Sequence, residues 1–75
     1  PPDYYIVPDL INVNLKRGKE IILNTGLIIG NIKYEYNKEY LNHTILEQDL
    51  TAGMKLSFPN KINLIVSTDR LQINE

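Results

Sequence analysis

His43 is the only histidine in the sequence, so it is the first place to look for a general base or a metal ligand. Such a residue needs convergent partners, and no Ser, Cys or second His completes a set around it. It reads as a surface-loop side chain. Cysteine is absent, which removes disulfides, thiolate nucleophiles and Cys-based zinc sites together. Four carboxylates, Asp9, Glu35, Glu47 and Asp49, are the candidates for paired acid–base work. Their spacing marks out no cleft, and a chain of 75 residues has little room for one. They read as solvated strand faces and turn ends. The sequence therefore points to no enzyme: no catalytic residue, no metal site and no cofactor is assigned.

Binding chemistry has more to work with. Tyr4, Tyr5, Tyr34, Tyr36 and Tyr40 are five of the six aromatic residues. Tyrosines can stack on sugar rings or sit in an interface. The plainer reading has Tyr34 and Tyr36 covering a sheet and Tyr4 and Tyr5 packing a linker. Lys16, Arg17 and Lys19 form a small basic patch that can meet a carboxylate. As a solvated helix face they need no ligand, and near a helix N-terminus their charge is unfavourable. The net charge is −1, from 8 basic and 9 acidic residues. No basic stripe exists to neutralise phosphates, which argues against nucleic acid as a partner.

These side chains must be positioned by one small domain, with a stability of at most a few kcal/mol. The 43% hydrophobic share is that of an ordinary globular protein. No apolar run approaches the roughly 18 residues of a membrane span. Residues 1–6 open on Pro1-Pro2-Asp3 and read as a linker, with prolines favouring extended backbone. That opening suggests a domain excised from a longer protein. Residues 7–67 form the domain, and 68–75 read as a tail or the next linker. Val7 to Ile11 is a short extended segment, with Pro8 suited to an edge position. Asn14 is a helix N-cap. Leu15, Gly18 and Ile22 then share one helical face, with Ile21 at its margin. Gly26 fits the left-handed position that ends a helix, with Leu27 as its hydrophobic contact. Leu23, about 120° from the centre of the apolar face, is expected to be exposed. Gly18 costs about 0.5–1 kcal/mol against Ala in mid-helix, so it is expected to let the helix approach the sheet closely.

After Gly30 the period changes to two. Ile32, Tyr34 and Tyr36 alternate with Lys33 and Glu35 as a half-buried strand. Thr44 to Gln48 reads as a second strand. Residues 50–60 form a long loop with turns at Ala52-Gly53 and Phe58-Pro59-Asn60. Ile62, Leu64 and Val66 mark a third strand. The expected fold is α+β: one helix packed on a three-stranded antiparallel sheet, with a short N-terminal extended segment. The expected core is Leu15, Ile22, Leu27, Ile29, Ile32, Ile45, Leu64 and Val66.

These parts, in this order, resemble a PASTA domain. The residues that carry the resemblance are Val7-Pro8-Asp9-Leu10, Gly26-Leu27, Gly30 and Tyr34-Glu35-Tyr36. Thr44-Ile45-Leu46-Glu47-Gln48, Ala52-Gly53 and Ile62-Asn63-Leu64-Ile65-Val66-Ser67 follow in the family's order. The sequence departs from the family pattern at Gly18, usually Ala, at Leu50, often Pro, and at Asn12, frequently Gly. The resemblance implies the extracytoplasmic part of a membrane-anchored bacterial protein, such as a serine/threonine kinase or a penicillin-binding protein. It implies neighbouring PASTA repeats as partners, with weak binding of peptidoglycan or its stem peptides. The alternative is a structural spacer or protein–protein interaction domain with no small ligand. Ligand contacts are expected from Tyr34, Tyr36, Glu47 and Gln48, because adjacent strands can present side chains together.

Overall fold

The helix, α1, runs from Leu15 to Thr25, and both of its ends follow from local chemistry. Asn14 has extended backbone angles, and its side chain accepts a hydrogen bond from the Lys16 amide at 2.9 Å. At the far end Gly26 adopts φ 86°, a left-handed conformation that costs glycine nothing. The Gly26 amide donates to the Leu23 carbonyl and the Leu27 amide to the Ile22 carbonyl, each at 3.2 Å, a Schellman closure. Leu15, Gly18 and Ile22 are buried, and Leu23 is 65% exposed, so the helical register matches the periodicity. Eleven residues are marginal as an isolated helix, and the first turn of this one holds no acidic residue. The buried stripe against the sheet is therefore what holds it.

The computed structural model describes residues 3–71. Pro1 and Pro2 of the expected linker, and residues 72–75 of the expected tail, lie outside them. Among the described residues, five strands accompany the helix: β1 (Tyr5–Ile6), β2 (Ile28–Tyr36), β3 (Ile45–Gln48), β4 (Lys55–Leu56) and β5 (Lys61–Thr68). The main sheet has the order β2-β5-β3, and β1 pairs with β4 in a separate antiparallel ribbon. The fold is α+β as expected, but the sheet is mixed rather than antiparallel. β5 runs parallel to β2 and antiparallel to β3. The cause lies in residues 37–44, which are too long for a tight hairpin and carry the chain past one strand's width. β5 then enters the gap, and its carbonyls hold that crossing segment: the Asn37 amide donates to Thr68 at 3.0 Å and the His43 amide to Ser67 at 2.9 Å. Tyr5 and Ile6 pair with Leu56 and Lys55, so strand pairing reaches into the expected linker and the expected loop. Thr68 ends β5 rather than starting a tail.

The core comprises Val7, Leu10, Leu15, Ile22, Leu27, Ile45, Ile62, Leu64 and Val66. Ile29 and Ile32, expected inside, are half-buried and pack against its margin. They lie on β2, an edge strand with a neighbour on one side only. Val7 and Leu10 take their place because the segment before the helix is drawn across the open end of the core. The Val7 amide donates to the Met54 carbonyl at 3.0 Å, and the Val7 carbonyl accepts from Gly53 at 2.8 Å. Gly18 faces Ile45 so closely that an added Cβ would collide with the Ile45 Cδ1. Ile45 is fully buried, so the close approach expected of Gly18 is present.

Candidate functional site

The face of the sheet opposite the helix carries an open groove of about 320 Å³, near the small end of the range for ligand sites. Period-two alternation assigns its lining. On β5 the side chains of Ile62, Leu64 and Val66 turn to the core, leaving Asn63 and Ile65 on the outer face. Lys33 on β2 and Glu47 on β3 both pair with Ile65, so the three stand in one row. With strands about 4.8 Å apart, an ammonium and a carboxylate flank an aliphatic floor at a backbone separation of about 10 Å.

The rest of the groove is spent on holding the sheet. Asp49 Oδ1 accepts from the Asn63 amide and Oδ2 from Asn63 Nδ2, both at 2.8 Å. Asn63 Oδ1 in turn accepts from the Asn31 amide at 2.7 Å. This bond bridges the register shift in β2 between Ile29 and Ile32. Gly30 is required beside it, because a Cβ there would run into the Asn63 side chain. Lys33 and Glu47 make no salt bridge among the described residues, where Arg17–Glu20 at 3.5 Å is the one ion pair. The groove can offer one charge of each sign to a small polar ligand. No cluster of three or more metal-ligating side chains occurs among the described residues.

The four residues expected to bind ligand do not converge. Glu47 faces the groove. Tyr34 and Tyr36 pair with Val66 and Thr68 and so turn to the helix-bearing face, where they remain 40% and 39% exposed. Tyr34 packs against the His43 ring, with centroids 5.6 Å apart. Gln48 is committed inside the molecule: its Oε1 accepts from the Leu10 amide at 2.7 Å. Its Nε2 donates to the Pro8 carbonyl at 2.9 Å and the Leu50 carbonyl at 2.8 Å. Lys33 was not among the expected residues, although the alternation that placed Tyr34 on one face placed Lys33 on the other. His43 lies in the segment crossing the sheet, exposed, at φ 65°.

No family model matches the chain, and no curated protein does. Among solved structures, the chain is similar to the entire extracellular region of the Ser/Thr kinase PrkC from Staphylococcus aureus, with a TM-score of 0.71 and 21% sequence identity. The likeness covers 81% of this chain and 22% of that one, so this chain spans less than a quarter of the length it matches. The likeness is one of fold, and the fold is the one that the PASTA resemblance implies.

Proposed function

We propose that this chain is a non-enzymatic, extracytoplasmic module of the cell envelope, one repeat of a longer membrane-anchored bacterial protein, with weak affinity for peptidoglycan stem peptides. The observation that carries this reading is the likeness of fold to the extracellular region of a Ser/Thr kinase. No helix among the described residues is long and apolar enough to cross a membrane. The outer groove supplies the contact. A stem peptide carries amide groups with charges of both signs, and Lys33 and Glu47 present the complementary pair across Ile65. Tyr34 and Tyr36 offer a second contact at the sheet edge. Gln48, with its amide committed to the chain, would act by holding β3 in place.

Affinity for one copy should be near 1 mM, about 4 kcal/mol, because a shallow contact must first offset several kcal/mol of lost translational freedom. Tandem copies would raise it by avidity. The test is a heteronuclear NMR titration with a soluble muropeptide. Millimolar, saturable shifts centred on Lys33, Glu47 and Ile65 are expected. Micromolar affinity would overturn the weak-module reading in favour of a dedicated receptor. A complete lack of shifts would favour the second reading, a spacer, which the elongated outline of 45 × 24 × 17 Å supports.

A further inference from the structure

The two edges of the main sheet are treated differently. The β3 edge is closed from within the chain. The Asn12 amide donates to the Ile45 carbonyl and the Ile45 amide to the Val13 carbonyl, each at 2.8 Å. Asn14 and Thr44 form an antiparallel bridge just beyond. The other edge is β2, and among the described residues no backbone hydrogen bond reaches its outward side. From Ile32 to Tyr36 its pairing with β5 is regular. The Asn37 amide points to Thr68 of β5, so residues 33, 35 and 37 turn their peptide groups inward. Ile32, Tyr34 and Tyr36 therefore turn theirs out. An open strand edge of this kind is a template for pairing with another chain.

The residues along this edge specify what fits it. Ile32-Lys33-Tyr34-Glu35-Tyr36 is complementary to itself in antiparallel register. With Tyr34 opposite Tyr34 of a second copy, Lys33 of each copy faces Glu35 of the other, and Ile32 faces Tyr36. All the outward peptide groups then fall in hydrogen-bonded pairs. The Lys–Glu contacts fall in the intervening positions, where opposite Cα atoms are about 4.5 Å apart and side chains lie closest. Shifting the centre to Lys33 or to Glu35 sets like charges directly opposite each other, which is destabilising. The exposed ring of Tyr34 would meet its counterpart across the seam on the helix-bearing face, and Tyr36 of each copy would lie against Ile32 of the other.

We propose that this chain associates with a second copy of itself through β2, antiparallel, about a two-fold axis at Tyr34, joining two three-stranded sheets into one. The contact is isologous; because Lys33 also lines the outer groove, association is read with no stem peptide present, so that it stands or falls apart from groove binding. Lys33 and Glu35 are both exposed, so Lys33→Glu and Glu35→Lys leave the fold intact, as circular dichroism would verify. In sedimentation equilibrium the wild-type chain should self-associate, and each single variant should do so at least roughly tenfold more weakly. An equimolar mixture of the two variants should regain association. One variant then carries a carboxylate at both positions and the other an ammonium at both, so every cross-strand contact between them joins opposite charges. Amide exchange at Ile32, Tyr34 and Tyr36 should slow as wild-type concentration rises, while Lys33 and Glu35 remain protected throughout. A wild-type chain that stays monomeric to about 1 mM, single variants that associate as wild type does, or a mixture that stays monomeric would each overturn the proposal.

Discussion

At the scale of the residue, Gln48 shows how two distant stretches of sequence become one structural unit. Its side-chain amide substitutes for a strand partner: it accepts from Leu10 and donates to Pro8 and Leu50. This ties the Val7-Pro8-Asp9-Leu10 stretch to the end of β3. The two motifs, read separately in the sequence, are therefore halves of a single contact. Gln48→Ala should cost about 2–3 kcal/mol, since each lost bond is worth roughly 1 kcal/mol and the Leu10 amide is stranded. Urea denaturation would measure it, and a loss below about 0.5 kcal/mol would show that the staple is dispensable. Asn12 makes a different point. It adopts φ 69°, where Asn is among the few side chains tolerated, which explains how it stands where the family pattern frequently has Gly. The roles of Asn14 and Gly26 were legible because each depends on neighbours within a turn. The role of Gln48 was not, because its partners Pro8 and Leu10 lie 40 and 38 residues away.

At the scale of the element, α1 was readable from end to end, caps and buried stripe included. Its close seat on the sheet depends on Gly18. Replacing Gly18 by Ala adds about 0.5–1 kcal/mol of helix propensity but drives a methyl into the buried Ile45 side chain. Overpacking of that kind costs about 1–3 kcal/mol, so the steric term should win. The melting temperature of Gly18→Ala is expected to fall by roughly 4–8 °C, corresponding to a net loss of about 1 kcal/mol. A rise would mean that the helix can shift off the sheet without loss. The strands were legible as strands, but their partners were not. Period-two alternation says which face a residue takes and nothing about which neighbour lies beside it. That is why the tyrosines expected beside Glu47 prove to lie two strands away, on the opposite face.

At the scale of the whole molecule, the fold divides into a tightly bound body and a lighter appendage. β5 is paired on both sides and carries Ile62, Leu64 and Val66 into the core. The β1–β4 ribbon has two residues in each strand and exposes Ile6 and Met54. Local opening follows buried contact, so the amide of the exposed Gly53, which donates to the Val7 carbonyl beside this ribbon, should exchange orders of magnitude faster than those of Leu64 and Val66 in native-state hydrogen exchange. Equal protection would mean that the ribbon opens only with global unfolding. The sequence by itself determined the class of fold, the helix with both its ends, the positions of the three main strands and the exposure of Leu23. Each of these rests on capping, on periodicity or on a left-handed glycine, all of which act within a few residues. The tertiary structure alone decided that β5 slides between β2 and β3, that Val7 and Leu10 displace Ile29 and Ile32 from the core, and that Lys33 joins Glu47 across Ile65. Those outcomes depend on which long-range pairing buries the most apolar surface while satisfying the backbone, a competition over the whole chain that local pattern does not record.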